Sequence, residues 1–330
     1  MNSFFKKQPL YKCFPLLLLP LLAGCSKQEE GPVPVSLTAQ SRSMEAEGRS
    51  LTVINARDGF RPTLFSTTVQ RDYTYAVPDP YSWQKDVTVA AQTGAITFTA
   101  ISPVTEEKVA DGHTPEGLPC YPIDGAWMYL TGIHPRASAA AGVITYTIDG
   151  KTDLMYAPEI QGNKWKGESF PPLVFGHLLS QLQLRATKRE DGGLSVRVTS
   201  ITLKEVERQV SFPLETGTPA FTFTTDRDFT VPDADIADTE ITGKDGPVEL
   251  VTLLLPPRDS NTYTMDVETT IGVFTNVQVM LDSKESQSNS FLPGYIYTIT
   301  LNITDRALTV EQVTVSPWNT TDADGEMGIH

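Results

Sequence analysis

The sequence predicts an all-β fold built from β-sandwiches, and three observations support this. Thr and Val recur in stretches of four to nine residues that alternate apolar and polar side chains, as half-buried strands do. Gly, Pro, Asp and Asn separate these stretches at regular intervals, which favours sandwiches. No sequence period of about 20 to 50 residues is visible, which argues against solenoids and propellers.

The first 25 residues have the pattern of a lipoprotein signal peptide. Three lysines precede an apolar run at residues 14–22, which is shorter than the ~20 residues that a membrane-spanning helix needs. The run ends in a lipobox, Leu22-Ala23-Gly24-Cys25. We therefore expect cleavage before Cys25 and acylation of its sulfur, palmitate included, which tethers the mature protein to a membrane. The tract Lys27-Gln28-Glu29-Glu30 resembles the acidic signal that directs some bacterial lipoproteins to the outer face of the outer membrane, which implies that location.

Charge and cysteine content exclude several kinds of partner and bond. The formal charge is −14, and loss of residues 1–24, which hold three lysines and no acid, makes it −17. So acidic a chain is not expected to bind nucleic acid.

Apart from Cys13 and Cys25 the remaining thiol is Cys120. No internal disulfide can form, and we expect Cys120 to be buried and inert.

Fourteen stretches carry the strand pattern, and the clearest covers residues 295–303. Every second residue from Tyr295 to Ile303 is aromatic or aliphatic, so this face should lie in a core. The other stretches are residues 51–55, 87–90, 95–101, 126–131, 143–148, 194–199, 201–206, 210–214, 221–225, 249–255, 262–269, 272–281 and 308–316.

One segment has helical periodicity. Phe175, Leu178 and Leu182 lie at helix-like offsets within residues 174–185. This spacing predicts a short helix packed on a sheet. We expect it to run into a strand at residues 183–187.

The chain is long enough for two domains. Its 330 residues allow two cores of ordinary size. Turn-forming and charged residues interrupt the strand pattern near residues 206–220, which marks a boundary. The expected organisation is a signal peptide over residues 1–24, a lipidated N-terminal segment with the first strand over 25–49, a β-sandwich over 50–210, and a second β-sandwich with an acidic tail over 211–330.

Four motifs resemble those of one protein family. They are Asp153-Leu154-Met155-Tyr156-Ala157, Pro172-Leu173-Val174-Phe175-Gly176-His177-Leu178-Leu179-Ser180-Gln181-Leu182, Pro293-Gly294-Tyr295-Ile296-Tyr297-Thr298-Ile299-Thr300-Leu301 and Val315-Ser316-Pro317-Trp318. In order and spacing these resemble the fimbrillin family, the lipoprotein precursors of type V pili in gut and oral anaerobes. The resemblance implies two transthyretin-like β-sandwich domains in tandem and a structural subunit of a cell-surface fimbria, or pilus, that supports cell adhesion.

The resemblance also implies an assembly mechanism and its partners. In the family a surface protease specific for Arg or Lys removes the first strand, and a strand of the next subunit fills the groove that this opens. The partners implied are other fimbrial subunits, in a homo- or heteropolymer, and an Arg-specific protease. Val33, Val35 and Leu37 alternate with Pro or polar residues, which suits a first strand lying in such a groove.

Two arginines are candidates for the cut. Arg42 and Arg49 lie in a polar, Gly-containing stretch at residues 41–50, where a protease could reach the chain. Arg49 is the first candidate because it directly precedes a predicted strand, and Arg42 is the second. The alternative is that both are ordinary linker charges. Cleavage after Arg49 would release the first strand together with the lipid.

The candidate donor strand lies near the C-terminus. Leu308, Val310, Val313 and Val315 are the apolar residues that could fill a neighbour's groove. The last twelve residues, 319–330, are polar and acidic and would fill a groove poorly. Either the strand up to Val315 is donated, or it pairs within its own domain and the protein is a tip or accessory subunit.

Enzymatic and metal-binding functions are not expected. The chain contains no nucleophile elbow, phosphate-binding loop or His-Glu-x-x-His motif. His177 lies among apolar residues and is interpreted as structural. Two acidic clusters lack the full spacing of a calcium loop and are interpreted as solvated loops, and we predict no cofactor. The clusters are Asp233, Asp235, Asp238 and Glu240, and Asp322, Asp324 and Glu326.

The alternative function is a monomeric surface lipoprotein that binds a glycan or another host ligand. Exposed aromatic rings in loops stack on sugar faces, and several aromatic residues lie in Pro-rich or Lys-flanked stretches. Those residues are Tyr73, Tyr75, Tyr81, Trp83 and Trp165. Aromatic residues in such segments also close the ends of sandwiches.

Overall fold

The structure is a computed structural model that describes most of the chain after residue 31. The described residues are 32–44, 49–52, 59–77, 79–91, 93–98, 118–188, 195–243, 246–281 and 290–318, with the backbone alone at 41–44 and 49–52. All of them belong to the unit that begins at Pro32.

The predicted all-β class is confirmed, since the described residues form strands, two short 3-10 turns and no α-helix. None of the described segments forms a helix with the length and hydrophobicity of a membrane span. The strands are β1 (Ala39–Met44), β2 (Arg49–Thr52), β3 (Thr63–Thr67), β4 (Trp83–Val89), β5 (Ile96–Phe98), β6 (Met128–His134), β7 (Val143–Thr147), β8 (Met155–Gly162), β9 (Leu173–His177), β10 (Ser180–Lys188), β11 (Val198–Leu203), β12 (Gln209–Pro213), β13 (Ala220–Thr222), β14 (Phe229–Thr230), β15 (Val248–Leu255), β16 (Thr262–Thr269), β17 (Gly272–Met280), β18 (Tyr295–Ile303) and β19 (Leu308–Pro317).

The strands form four sheets. The largest has eight strands in the order β2-β1-β9-β8-β6-β3-β4-β5, and a three-stranded sheet has the order β13-β12-β7. Two four-stranded sheets have the orders β15-β10-β18-β19 and β14-β11-β16-β17. Most pairs are antiparallel, whereas β1 with β9 and β10 with β18 are parallel.

Three hydrophobic cores lie between these layers. We call them the N-terminal core on one face of the eight-stranded sheet, the middle core on its other face against the three-stranded sheet, and the C-terminal core between the two four-stranded sheets. Leu64 and Phe65, neighbours on β3, enter the first and second of these cores because successive side chains of a strand point to opposite faces. This layering is that of β-sandwiches.

The predicted strand at residues 295–303 is confirmed as β18, and Tyr297, Ile299 and Ile303 are buried in the C-terminal core. The strand predicted at residues 262–269 is confirmed as β16. Cys120 is fully buried, as expected of an inert thiol.

The predicted helix at residues 174–185 is wrong. These residues form β9 and β10, joined by Leu178 and Leu179. β10 lies between β15 and β18 and is buried on both faces, so Gln181 and Gln183 are buried beside the leucines. A strand buried on both faces has a continuous apolar run without clean alternation. The helix-like offsets of Phe175, Leu178 and Leu182 are therefore a coincidence, since these residues lie in β9, in the connection and in β10.

The expected division at residues 210 and 211 falls within β12. That strand pairs with β7, while β10 and β11 lie in sheets with strands of the second half. A boundary at this point would separate hydrogen-bonded neighbours of one strand. The division of the chain into two tandem domains stays a prediction, and strand pairing does not favour this position for the boundary.

Candidate functional site

The segment of residues 33–39 lies against the N-terminal core with alternating burial. Val35, Leu37 and Ala39 are 6%, 5% and 1% exposed, and Val33 packs partly buried against the same core. Pro34 and the other intervening residues are exposed. Every second side chain therefore enters the core, as the sequence alternation predicted.

The backbone of this segment is hydrogen-bonded to three separate parts of the chain. We call the surface that these parts form the slot. The bonds are Val35 N–H to Pro119 O (2.9 Å), Tyr121 N–H to Val33 O (3.0 Å), Ile96 N–H to Leu37 O (3.2 Å), Ala39 N–H to Gly94 O (2.8 Å) and Leu173 N–H to Thr38 O (2.9 Å).

Gly94 permits the close approach of the segment to the slot. Its φ is +65°, and an added Cβ would lie 2.2 Å from the carbonyl oxygen of Ala39. Only glycine adopts this backbone conformation without a steric cost and leaves this space free. The sequence did not predict that residues 94–96 and 119–121 form the slot. For residues 94–96 the available signal was Gly94, an isolated glycine beside a strand pattern.

The segment continues into β1, which contains one of the two candidate cleavage residues. Arg42 lies opposite Gly176 of β9 on one side and opposite Leu51 of β2 on the other. Arg49 is the first residue of β2 and lies at the end of that ladder, opposite Met44. Arg42 is therefore within a backbone paired on both sides, whereas Arg49 lies at its margin.

Two further sequence predictions fall on residues that the structure does not describe. They are the lipidation residue Cys25 and the acidic cluster at residues 322–326.

The candidate donor strand β19 is the edge strand of its sheet and pairs along its length with β18, from Leu308 opposite Ile303 to Pro317 opposite Tyr295. Its apolar side chains are partly buried against the C-terminal core. They are Leu308, Val310, Val313 and Val315. Leu308 and Val310 also line a shallow crevice between β19 and β17, the edge strand of the facing sheet.

His177 occupies a structural position. Its side chain is 3% exposed, and its Nδ1 lies 2.8 Å from Asp153 Oδ2. The imidazole stacks on the indole of Trp318, with ring centres 4.0 Å apart and planes 9° from parallel. The carboxylate thus holds the ring flat against the residue that follows β19, and Trp318 packs against the middle core.

Three of the four carboxylates of the described acidic cluster form salt bridges. Arg197 binds Asp238 at 2.7 Å and Glu240 at 2.9 Å, and Lys151 Nζ lies 2.5 Å from Asp235 Oδ1. Within the described ranges, no three His, Cys, Asp or Glu side chains are grouped so that they could hold a metal ion.

Most aromatic residues of the glycan hypothesis are buried or half-buried. Tyr73 is 1% exposed and donates a hydrogen bond to Glu159 Oε2 at 2.7 Å. Burial, together with that carboxylate, raises the pKa of the Tyr73 phenol well above its usual range. Trp83 is 8% exposed, whereas Trp165 is 44% exposed and donates its indole N–H to Pro122 O at 2.8 Å. Of the five rings proposed, Trp165 is the most exposed.

A protein-family model described as fimbrillin-like matches residues 74–318. This range holds the sequence motifs, the slot residues at 94–96 and 119–121, and β19. A search among curated proteins finds no match.

Solved structures with a similar fold come from Bacteroides species. A candidate cell adhesion protein from Bacteroides uniformis has 17% identity and a TM-score of 0.54, and the match covers 86% of this chain and 99% of that one. A second from Bacteroides ovatus has 15% identity, a TM-score of 0.57 and coverage of 88% and 100%. A fimbrial protein from Bacteroides vulgatus has 15% identity, a TM-score of 0.52 and coverage of 86% and 99%. At these identities the likeness concerns the fold.

Proposed function

The chain belongs to the fimbrillin-like family, and on that premise we propose that it is a cell-surface fimbrial subunit that assembles by strand exchange at the slot. The observation that carries the proposal is the position of residues 33–39. They form an extended, hydrogen-bonded and half-buried segment that leads into β1. Removal of a terminal strand opens a groove without cutting the rest of the core.

The energetics of this segment suit exchange. Burial of Val35 and of Leu37 contributes about 1.5–3 kcal/mol each, and each backbone hydrogen bond adds about 0.5–1.5 kcal/mol. These contributions hold the segment while it is covalently attached. Once the chain is cut, a competing strand that offers the same alternation and the same backbone groups can replace it.

Strand pairing makes one of the two candidate cleavage residues more accessible to a protease than the other. A protease needs several residues of extended, accessible backbone, and Arg42 is paired with strands on both sides. Arg49 at the end of the ladder requires less local opening. We therefore favour cleavage after Arg49, which removes residues 33–39 and β1 in one step.

The lipid and the cut together control release. Acylation of Cys25 would tether the uncut subunit to the outer membrane, and cleavage after Arg49 would detach the body from the lipid while it opens the slot. The protein would then act as a structural and adhesive subunit without a catalytic step or a cofactor.

The test uses a soluble chain that begins at residue 25 with Cys25→Ser. An Arg-specific protease should cut it after Arg49, and a labelled peptide of residues 32–44 should then exchange into the cut protein. Arg49→Lys is the matched control, because it keeps the charge and resists the protease. The proposal is wrong if the cut protein takes up no labelled peptide, or if the Arg49→Lys chain exchanges it equally well.

A further inference from the structure

The residues that fill the slot follow an unbroken period of two. Val33, Val35, Leu37 and Ala39 face the N-terminal core, and Pro34 and the residues between the others face solvent. A strand keeps one face turned to a groove only while this alternation continues. A replacement strand must therefore present about four apolar side chains at every second position.

The candidate donor strand β19 does not have this pattern. Its register with β18 passes from Gln312 opposite Thr300 to Val310 opposite Leu301, so Glu311 is the extra residue of a β-bulge. The bulge lets Leu308, Val310, Val313 and Val315 all face the same core, although two residues rather than one lie between Val310 and Val313.

In a straight groove the two halves of β19 would face opposite ways. If Leu308 and Val310 enter the slot, the next two inward positions are Gln312 and Thr314. If Val315 and Val313 enter instead, the other two inward positions are Glu311 and Thr309. Either register places two polar residues in a groove that the chain's own segment fills with apolar ones. The bulged strand fits β18 and does not fit the slot.

The far end of β19 is also fastened within its own subunit. The N–H of Trp318 donates to Gly294 O at 2.9 Å, and the indole stacks on His177, which Asp153 holds in place. Trp318 packs against the middle core. Removal of β19 would therefore break contacts with two cores and the ladder with β18 together.

We propose that this subunit accepts a strand at its slot but does not donate β19, and that its donor is a chain of different sequence. The donor strand carries at least four apolar residues in unbroken alternation. The inference rests on the proposed strand exchange. A subunit that accepts a strand and donates none would stand at the end of a fibre, where a single acceptor site is sufficient.

The test compares three labelled peptides on the full soluble chain after cleavage at Arg49. The first has residues 32–44, the second residues 307–318, and the third residues 307–318 without Glu311. Deletion of Glu311 gives Leu308, Val310, Val313 and Val315 at every second position. Binding is measured by fluorescence anisotropy, and the size of the cut protein alone by light scattering.

We expect the first and third peptides to bind, and the native peptide of residues 307–318 to bind at least about 150-fold more weakly than the third, because two buried aliphatic side chains are missing. The cut protein alone should remain monomeric. Binding of the native peptide within a few fold of the third, or a ladder of oligomers from the cut protein alone, would overturn the inference. If the third peptide binds no better than the native one, alternation is not the recognition rule. If even the peptide of residues 32–44 fails to bind, the proposed slot itself is wrong.

Discussion

Replacement of Leu37 by Ala measures how much the segment of residues 33–39 contributes to the fold. Leu37 is 5% exposed and packs in the N-terminal core. Truncation of a buried Leu to Ala costs about 2–5 kcal/mol. The segment lies at the margin of the core and can adjust, so we expect the lower part of this range, ~2–3 kcal/mol of unfolding free energy. In the cut protein the same loss should weaken binding of the segment by ~30- to 150-fold.

The assay combines global and local measurements on the soluble chain with Cys25→Ser, in which Cys120 is the single thiol. Chemical denaturation gives the change in unfolding free energy. Cys120 is fully buried, and its backbone forms a β-bridge with Pro34. The rate at which a thiol reagent labels Cys120 therefore reports local opening of the slot under native conditions. Ser36→Ala is the matched control, since Ser36 lies in the same segment and is exposed.

The expected result is a lower denaturation midpoint and faster labelling of Cys120 for Leu37→Ala, with little change for Ser36→Ala. Equal midpoints and equal labelling rates for the two variants would refute the reasoning. Burial of Leu37 would then contribute no more to stability than the exposed Ser36 does, and the proposed slot would not hold the segment through its apolar side chains.

Three further predictions concern single residues. Gly94→Ala should destabilise the chain by about 1–3 kcal/mol, because its Cβ would meet the carbonyl of Ala39. Gly167 also has a positive φ but has open space around the added Cβ, so Gly167→Ala should destabilise the chain less. Chemical denaturation of the two variants compares their unfolding free energies. Trp318→Ala should speed hydrogen exchange in β19, measured by mass spectrometry, and unchanged exchange would contradict the fastening of that strand. Burial lowers the pKa of His134 from 6.5, so the unfolded chain binds more protons and stability should fall as the pH drops from 7 through 6.5 towards the folded pKa. Unfolding free energies measured between pH 7.5 and 5.5 should therefore decline less in the His134→Gln variant than in the unchanged chain. An equal decline in both proteins would contradict the role of His134.

Exposure of one face made two strands predictable from sequence with correct boundaries. β16 and β18 alternate buried with half-buried or exposed residues, and both were predicted with correct boundaries. β3 is buried at all five positions and was not predicted, because a strand covered on both faces has no polar side to reveal its period. The first half of β10, which is buried on both faces, was assigned to a helix for the same reason, whereas residues 183–187 in its second half were predicted as a strand.

The candidate site divides in a similar way. The alternation from Val33 to Leu37 is local, so the sequence was sufficient to predict the buried face of the segment. The residues that receive it come from 94–96, 119–121 and β9, which are remote in sequence and meet only in the folded sheet. The bulge at Glu311 and the stack of His177 on Trp318 depend in the same way on register and tertiary contact, which a single sequence does not contain.

A donor strand that takes the place and direction of β1 would lie parallel to β9, and this pairing bears on how an assembled subunit would carry mechanical load. A strand pulled along its own axis beside a parallel neighbour strains its hydrogen bonds simultaneously in shear, whereas a strand peeled from one end loses them one after another. β9 leads through two residues into β10, which lies between β15 and β18. Tension that enters through the strand beside β9 would thus pass along one short run of chain into the middle of another sheet, and no flexible linker lies between β9 and β10.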